Sequence, residues 1–283
     1  MRIVALLFFT LISAPLGVAQ QPEKRTFGAI AFWGPVHTIR IERADFMSNN
    51  GQLTEGPRLL LQKFNFNEDG TRKELTNYKP DGSIAVRTVE VYDLEGRILE
   101  SSTFIGQSDH GSRITYKYDS SKRWIEIAVY RPEGTIAHRT IFTYQGDQRF
   151  GESVNYDASG AIVSRGTGVD DLKAHRSEMI NQSANEVVRR QTSITDTRNG
   201  QVYEQRVNGA LAARSLSTAS RDGVSEFTTY NPDGSVKSKQ RNASEFDSHG
   251  NAVKTVRSEM KSGADEFRPV AVYYRTFEYY GKN

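Results

Sequence analysis

The sequence predicts an all-β protein built as an antiparallel up-and-down meander of hairpins, and three observations carry that prediction. An aromatic-led turn unit recurs along the chain, and the intervals between its copies follow a fixed alternation. The residues between turns are rich in aromatic and β-branched types, and no interval leaves room for a helix.

The leader comes first. Arg2 precedes an apolar run from Ile3 to about Pro15, and Gly17-Val18-Ala19 then presents small residues before a cleavage point. This is the pattern of a secretory signal peptide over residues 1–19. The run falls short of the roughly 20 apolar residues that a spanning helix needs. Cleavage leaves residues 20–283 as a single β-repeat domain with no membrane span, exported to the periplasm or exterior of a bacterial cell. The chain has no cysteine, which rules out disulfides, thiolate metal sites and cysteine nucleophiles. With 37 Lys+Arg against 34 Asp+Glu the charge is nearly balanced, and no nucleic-acid partner is expected.

Two strands follow, at residues 35–46 and 58–66, joined by a loop around Ser48-Asn-Asn-Gly51. The regular repeats then run over about 60–160 and resume at about 225–256. Each copy opens on an aromatic residue and closes on a glycine: Phe66 with Gly70, Tyr78 with Gly82, Tyr92 with Gly96, Tyr130 with Gly134, and Tyr156 with Gly160. Later copies pair Tyr230 with Gly234 and Phe246 with Gly250. Weaker copies without the glycine start at Phe104, Tyr118 and Tyr144. From Phe66 to Tyr156 the aromatic steps alternate between 12 and 14, a 26-residue period made of two unequal halves.

The turn chemistry explains one unit. In Lys79-Pro-Asp-Gly82, proline presets φ at the first turn position, aspartate suits the second, and glycine takes the left-handed position that follows. Such a three-residue loop with a glycine bulge sets Tyr78 against Ile84 across the strands. The same geometry pairs Tyr92 with Ile98, Tyr130 with Ile136, Tyr156 with Ile162 and Tyr230 with Val236. Each aromatic-to-β-branched pair contributes about 0.2–1 kcal/mol. Every motif aromatic has an even number, so strict alternation predicts all of them on one face.

Between about 165 and 185 the repeat loses its register, which predicts an irregular segment within the one sheet. Turn signals return at Asn199-Gly200, Asn208-Gly209 and Asp222-Gly223, and a last hairpin runs through 261–263 into an aromatic strand at 270–280. The expected architecture is an open curled sheet or a partly closed shell.

Aromatic-Asp-x-x-Gly at these intervals resembles the YD repeats of the Rhs family, with literal matches at Tyr92-Asp93, Tyr118-Asp119 and Tyr156-Asp157. The resemblance covers under half of the chain and implies a short exported β-repeat form of that architecture. Full Rhs proteins are far longer, enclose a toxin, and carry an Asp-Pro-x-Gly core element. This chain has no Asp-Pro dipeptide, so the resemblance implies no toxin function.

The sequence carries few groups arranged for chemistry. His37, His110, His138, His175 and His249 form no metal motif, and each reads as a strand or loop histidine. Asp170-Asp171 is the adjacent acid pair of the irregular segment and reads as a solvated loop. Several other acids, Asp69, Asp81, Glu95, Glu133 and Asp233, sit in repeat turns. No catalytic residues, cofactor or metal are expected. The reading is an exported, non-catalytic structural or protein-binding module of the cell envelope. A carbohydrate-binding module with exposed aromatic platforms is the alternative, and a glycoside-acting enzyme or Rhs-derived shell fragment is a minor one. Trp33 and Trp124 fall outside the repeated aromatic position and are the candidate ligand contacts. The partner would be an envelope protein or a polysaccharide.

Overall fold

The structure, a computed structural model, describes residues 24–27, 30–183, 186–197, 200–219, 222–261 and 264–281. The signal segment and the turn at 262–263 lie outside the described residues. Two short strands, β1 (Lys24–Phe27) and β2 (Ile30–Trp33), pair with each other. The long β3 (Val36–Asn49) carries a short partner, β4 (Gln52–Glu55), on its far end through a turn at Asn50-Gly51. The repeat region supplies β5 (Leu59–Phe66), β6 (Arg72–Tyr78), β7 (Ile84–Tyr92), β8 (Ile98–Ile105), β9 (Gly111–Tyr118), β10 (Trp124–Tyr130), β11 (Ile136–Gln145) and β12 (Gln148–Tyr156). The chain continues as β13 (Ile162–Asp171), β14 (Arg176–Ser183), β15 (Val187–Thr197), β16 (Gly200–Val207) and β17 (Ala210–Ala219). It ends with β18 (Val224–Tyr230), β19 (Val236–Phe246), β20 (Ala252–Lys261) and β21 (Arg268–Tyr279). Of the segment at 165–185, the described residues 165–183 continue β13 and form β14, with Leu172–His175 as the turn between them.

The sheet is not open. β21 pairs antiparallel with β3 from Ala271↔Asp45 to Tyr279↔Val36, and β3 in turn pairs with β5. β3 and β5–β21 therefore form a closed barrel of eighteen strands. This corrects the open curled sheet expected from the sequence. Closure satisfies the two edges that an open meander would leave as unpaired donors and acceptors.

The tight turns have the expected geometry. Lys79 donates its N–H to the Ser83 carbonyl and Gly82 to that of Lys79, with Gly82 at φ 82°. Tyr78↔Ile84, Tyr92↔Ile98, Tyr130↔Ile136, Tyr156↔Ile162 and Tyr230↔Val236 are all register partners. At each of them the register slips by one residue next to the aromatic.

That slip corrects the parity argument. One extra residue per hairpin exchanges the faces, so the motif aromatics alternate sides. Tyr92, Tyr118 and Tyr144, at one end of the barrel, point to the same face as Lys73, Glu90 and Trp124. Phe104, Tyr130 and Tyr230, at the other end, lie under Arg87, Arg113 and Arg214 on the opposite face. Along β11 and β13 the two faces also differ in exposure. Along β13, Ser164, Gly166, Gly168 and Asp170 are withdrawn from water, while Val163, Arg165, Thr167 and Val169 are exposed. Side chains converge on the concave side of a closed sheet, so we take the enclosed face as the lumen.

Cross-strand ion pairs run round the exposed face. Glu100–Arg113 (3.6 Å), Glu126–Lys117 (2.9 Å), Glu178–Arg189 (3.1 Å), Glu204–Arg214 (3.3 Å) and Glu226–Arg241 (2.7 Å) each join neighbouring strands. The best-buried apolar cluster lies where the barrel closes: Phe32, Val36, Ile39, Ile41, Phe64 and Phe66, with Tyr273 and Phe277 packed beside it. The β1–β2 hairpin is seated there. Buried Asn251 clamps it, accepting from the Trp33 N–H at 2.6 Å and donating to the Trp33 carbonyl at 3.1 Å and the Tyr279 hydroxyl at 2.8 Å.

Candidate functional site

The wall formed by β9–β13 concentrates aromatic and hydrogen-bonding groups on its enclosed face. Trp124 opens β10, directly after the turn in which Asp119 accepts the N–H groups of Ser121 and Arg123 at 2.9 Å. This turn fixes where the indole emerges. Trp124 then faces Tyr118 in register and lies 6.1 Å from the Tyr116 ring. The Tyr144 hydroxyl donates to the Trp124 carbonyl at 2.8 Å, tying β11 to the start of β10.

Arg149 on β12 is the centre of the patch. It is only 8% exposed, and its guanidinium stands 5.0 Å from the Phe142 ring centroid and 5.6 Å from that of Trp124. Its Nε donates to the Asp170 carboxylate at 2.9 Å. A guanidinium held between aromatic faces and a carboxylate is fixed in plane, with its remaining N–H groups oriented. Six residues further along β12, roughly 20 Å from Arg149, His138 bonds Asn155 through Nδ1 and Thr140 through Nε2, both at 2.8 Å, and Asn155 donates to the Ser164 hydroxyl at 2.7 Å.

Glycines on this face let neighbouring groups close over the sheet. A Cβ on Gly166 would come within 2.6 Å of the Ser153 hydroxyl and 2.7 Å of the Asn181 side-chain oxygen. Gly151 and Gly168 share the same face in register with it. Flat aromatic faces beside a fixed guanidinium make a surface suited to stacking a polyhydroxylated ring. Burial holds the Tyr116 hydroxyl in its neutral form, with its pKa pushed up to about 12, and raises that of Tyr144 as well. Both phenols therefore remain hydrogen-bond donors at any physiological pH.

The two candidate contact residues are not brought together. Trp124 belongs to this patch, whereas Trp33 is engaged through its backbone in the Asn251 clamp, with its indole 3.5 Å from the space over Gly250. The Asp170-Asp171 pair is split between the two faces: Asp170 holds Arg149, while Asp171 accepts the Lys173 and Ala174 N–H groups of the next turn. Arg149, His138 and Asn155 carry no local sequence signal. Arg149 meets Phe142 and Asp170, and His138 meets Asn155, only through the β11–β13 register.

No protein-family model matches the chain, and no curated protein matches it. Among solved structures, a porin-like protein from Bacteroides uniformis ATCC 8492 aligns over 86% of this chain and 98% of its own, at 10% identity and a TM-score of 0.35. The TcdB2–TccC3 structure aligns over 82% of this chain and 15% of its own, at 10% identity and a TM-score of 0.24. Both likenesses are too distant to carry an assignment.

Proposed function

We propose that this chain is an exported, non-catalytic β-barrel that stands in water in the bacterial envelope, periplasmic or extracellular, and acts as a structural or protein-binding module through its walls. The ion-pair ladder on the exposed face carries this reading. Turned to lipid, each arginine or lysine near the midplane would cost about 2–4 kcal/mol, and Lys117, Arg113, Arg189, Arg214 and Arg241 all lie within strands. Barrel closure also changes how a partner would be met. Strand addition at a long free edge is no longer available, so recognition falls to side chains on the two faces.

The Trp124–Arg149 patch favours a second reading, carbohydrate binding on the enclosed wall. Co-sedimentation of residues 20–283 with peptidoglycan and insoluble polysaccharides, without detergent, tests both readings. Pelleting that soluble oligosaccharide competes away and Trp124→Ala abolishes supports the carbohydrate site. A soluble chain that pellets with no polymer directs the search to protein partners. Recovery only with outer membranes and detergent overturns the proposal.

A further inference from the structure

The enclosed face where β20, β21 and β3 meet carries Arg43, Arg257 and Arg275 around Tyr273. Tyr273 is the register partner of both Arg43 and Thr255, and the Arg43 guanidinium lies 5.9 Å from its ring centroid. Two carboxylates share this surface: Asp45 pairs with Arg43 at 2.5 Å and Glu259 with Arg257 at 2.6 Å. Arg275 has no carboxylate partner among the described residues. Its guanidinium donates to the Thr255 hydroxyl at 2.8 Å, and burial lowers its pKa. The Arg257 guanidinium also meets the Tyr273 hydroxyl, but its Nε is buried with no acceptor among the described residues. Thr255 itself is 7% exposed and also bonds the Ser244 hydroxyl at 3.0 Å.

A half-buried guanidinium without a counter-charge is costly, and so is a buried N–H without an acceptor. Here both deficits occur on adjacent strands and on one face, flanking Thr255 and Tyr273. A single anion between them would remove both. The donors come from two strands rather than from one planar fork, which suits a tetrahedral oxyanion better than a flat carboxylate.

We propose that Arg257 and Arg275, with Thr255 and Tyr273, form a binding site for a phosphate-type oxyanion, either free or borne on an envelope polymer. The site lies on different strands from the Trp124 patch and does not depend on it.

The test is equilibrium dialysis of residues 20–283 against labelled inorganic phosphate, with a phosphorylated polysaccharide as a second arm. Thermal unfolding in phosphate and in chloride at equal ionic strength accompanies it. Saturable binding and a Tm raised by phosphate over chloride are expected. Arg275→Gln and Arg257→Gln should each weaken binding tenfold or more, with Arg275→Lys intermediate. In chloride, Arg275→Gln should melt no lower than the parent chain, because it removes an uncompensated charge. That readout separates loss of the site from loss of the fold. Binding in the polymer arm alone assigns the borne form. Absence of binding in both arms, or binding unchanged in both glutamine variants, overturns the proposal.

Discussion

Arg97 lies over the ring of Tyr118, 5.3 Å from its centroid, while Asp93 holds the Arg97 Nε at 2.6 Å. Twenty-six residues on, Arg123 repeats the arrangement over Tyr144 at 4.3 Å, held by Asp119 at 2.8 Å. The tyrosine hydroxyls close the unit by donating to the carbonyls of Ile98 and Trp124, each at 2.8 Å. The Tyr-Asp pair therefore does two jobs. The aspartate ties its own turn, and the arginine it orients packs on the tyrosine of the next hairpin at the same barrel end.

These turn aspartates set the acid limit of the fold. The N–H groups of Arg97 and Arg123 stabilise the ionised carboxylates of Asp93 and Asp119 and lower their pKa values, and the Ser159 hydroxyl does the same for Asp157. A lowered folded-state pKa means stability that is fully present above the unfolded value of about 3.9 and lost as pH falls through the folded values. Unfolding on acidification should begin below about pH 4. The Asp93→Asn, Asp119→Asn double variant should show a flatter acid limb by circular dichroism. An identical limb would sink this account.

Alkaline titration should reveal the buried phenols. Tyr116, with its pKa raised to about 12 by burial, should stay protonated at about pH 11, where exposed tyrosines ionise. The raised value means stability that is present below about pH 10 and lost as pH rises through the folded value. Phenolate absorbance should appear in two stages, the second coinciding with unfolding, and Tyr116→Phe should shrink the second stage.

Lys122 occupies the position that other repeats give to glycine, at φ 64°, where Gly82 sits at 82° and Gly134 at 89°. The left-handed conformation costs a side-chain-bearing residue about 1–2 kcal/mol. Its ion pair with Glu95 at 2.9 Å is exposed and returns little. Lys122→Gly should stabilise by about 0.5–1 kcal/mol, and Gly82→Ala, with nothing within 4 Å of the new Cβ, should destabilise by about 1 kcal/mol from backbone strain alone. Urea unfolding midpoints measure both.

Asn251→Ala should release the N-terminal hairpin. The substitution strips the Trp33 N–H and carbonyl and the Tyr279 hydroxyl of a fully buried partner, at a cost of about 2–4 kcal/mol. Tryptophan emission should shift to the red, and protease should cut near residue 30 in the variant before it cuts the parent. Equal cleavage of both would show that the apolar cluster around Phe32 suffices without the clamp.

The sequence by itself determined the hairpins. Each turn is a local matter of Pro, Asp and Gly at fixed offsets, so Tyr78↔Ile84 and its equivalents were readable from a few consecutive residues. The repeat period followed for the same reason. The faces were not readable by parity, because one inserted residue per hairpin leaves the even numbering of Tyr92 and Tyr130 intact while turning their rings to opposite sides. Closure was hidden more deeply. The β21–β3 seam joins Ala271 to Asp45 and Tyr279 to Val36 across almost the whole chain, and no local signal specifies a contact made only when seventeen preceding hairpin and strand geometries sum to a ring. The Trp124–Arg149 patch and the Arg257–Arg275 pair belong to that second kind. Their residues lie on separate strands, and only register, twist and closure bring them onto one enclosed wall.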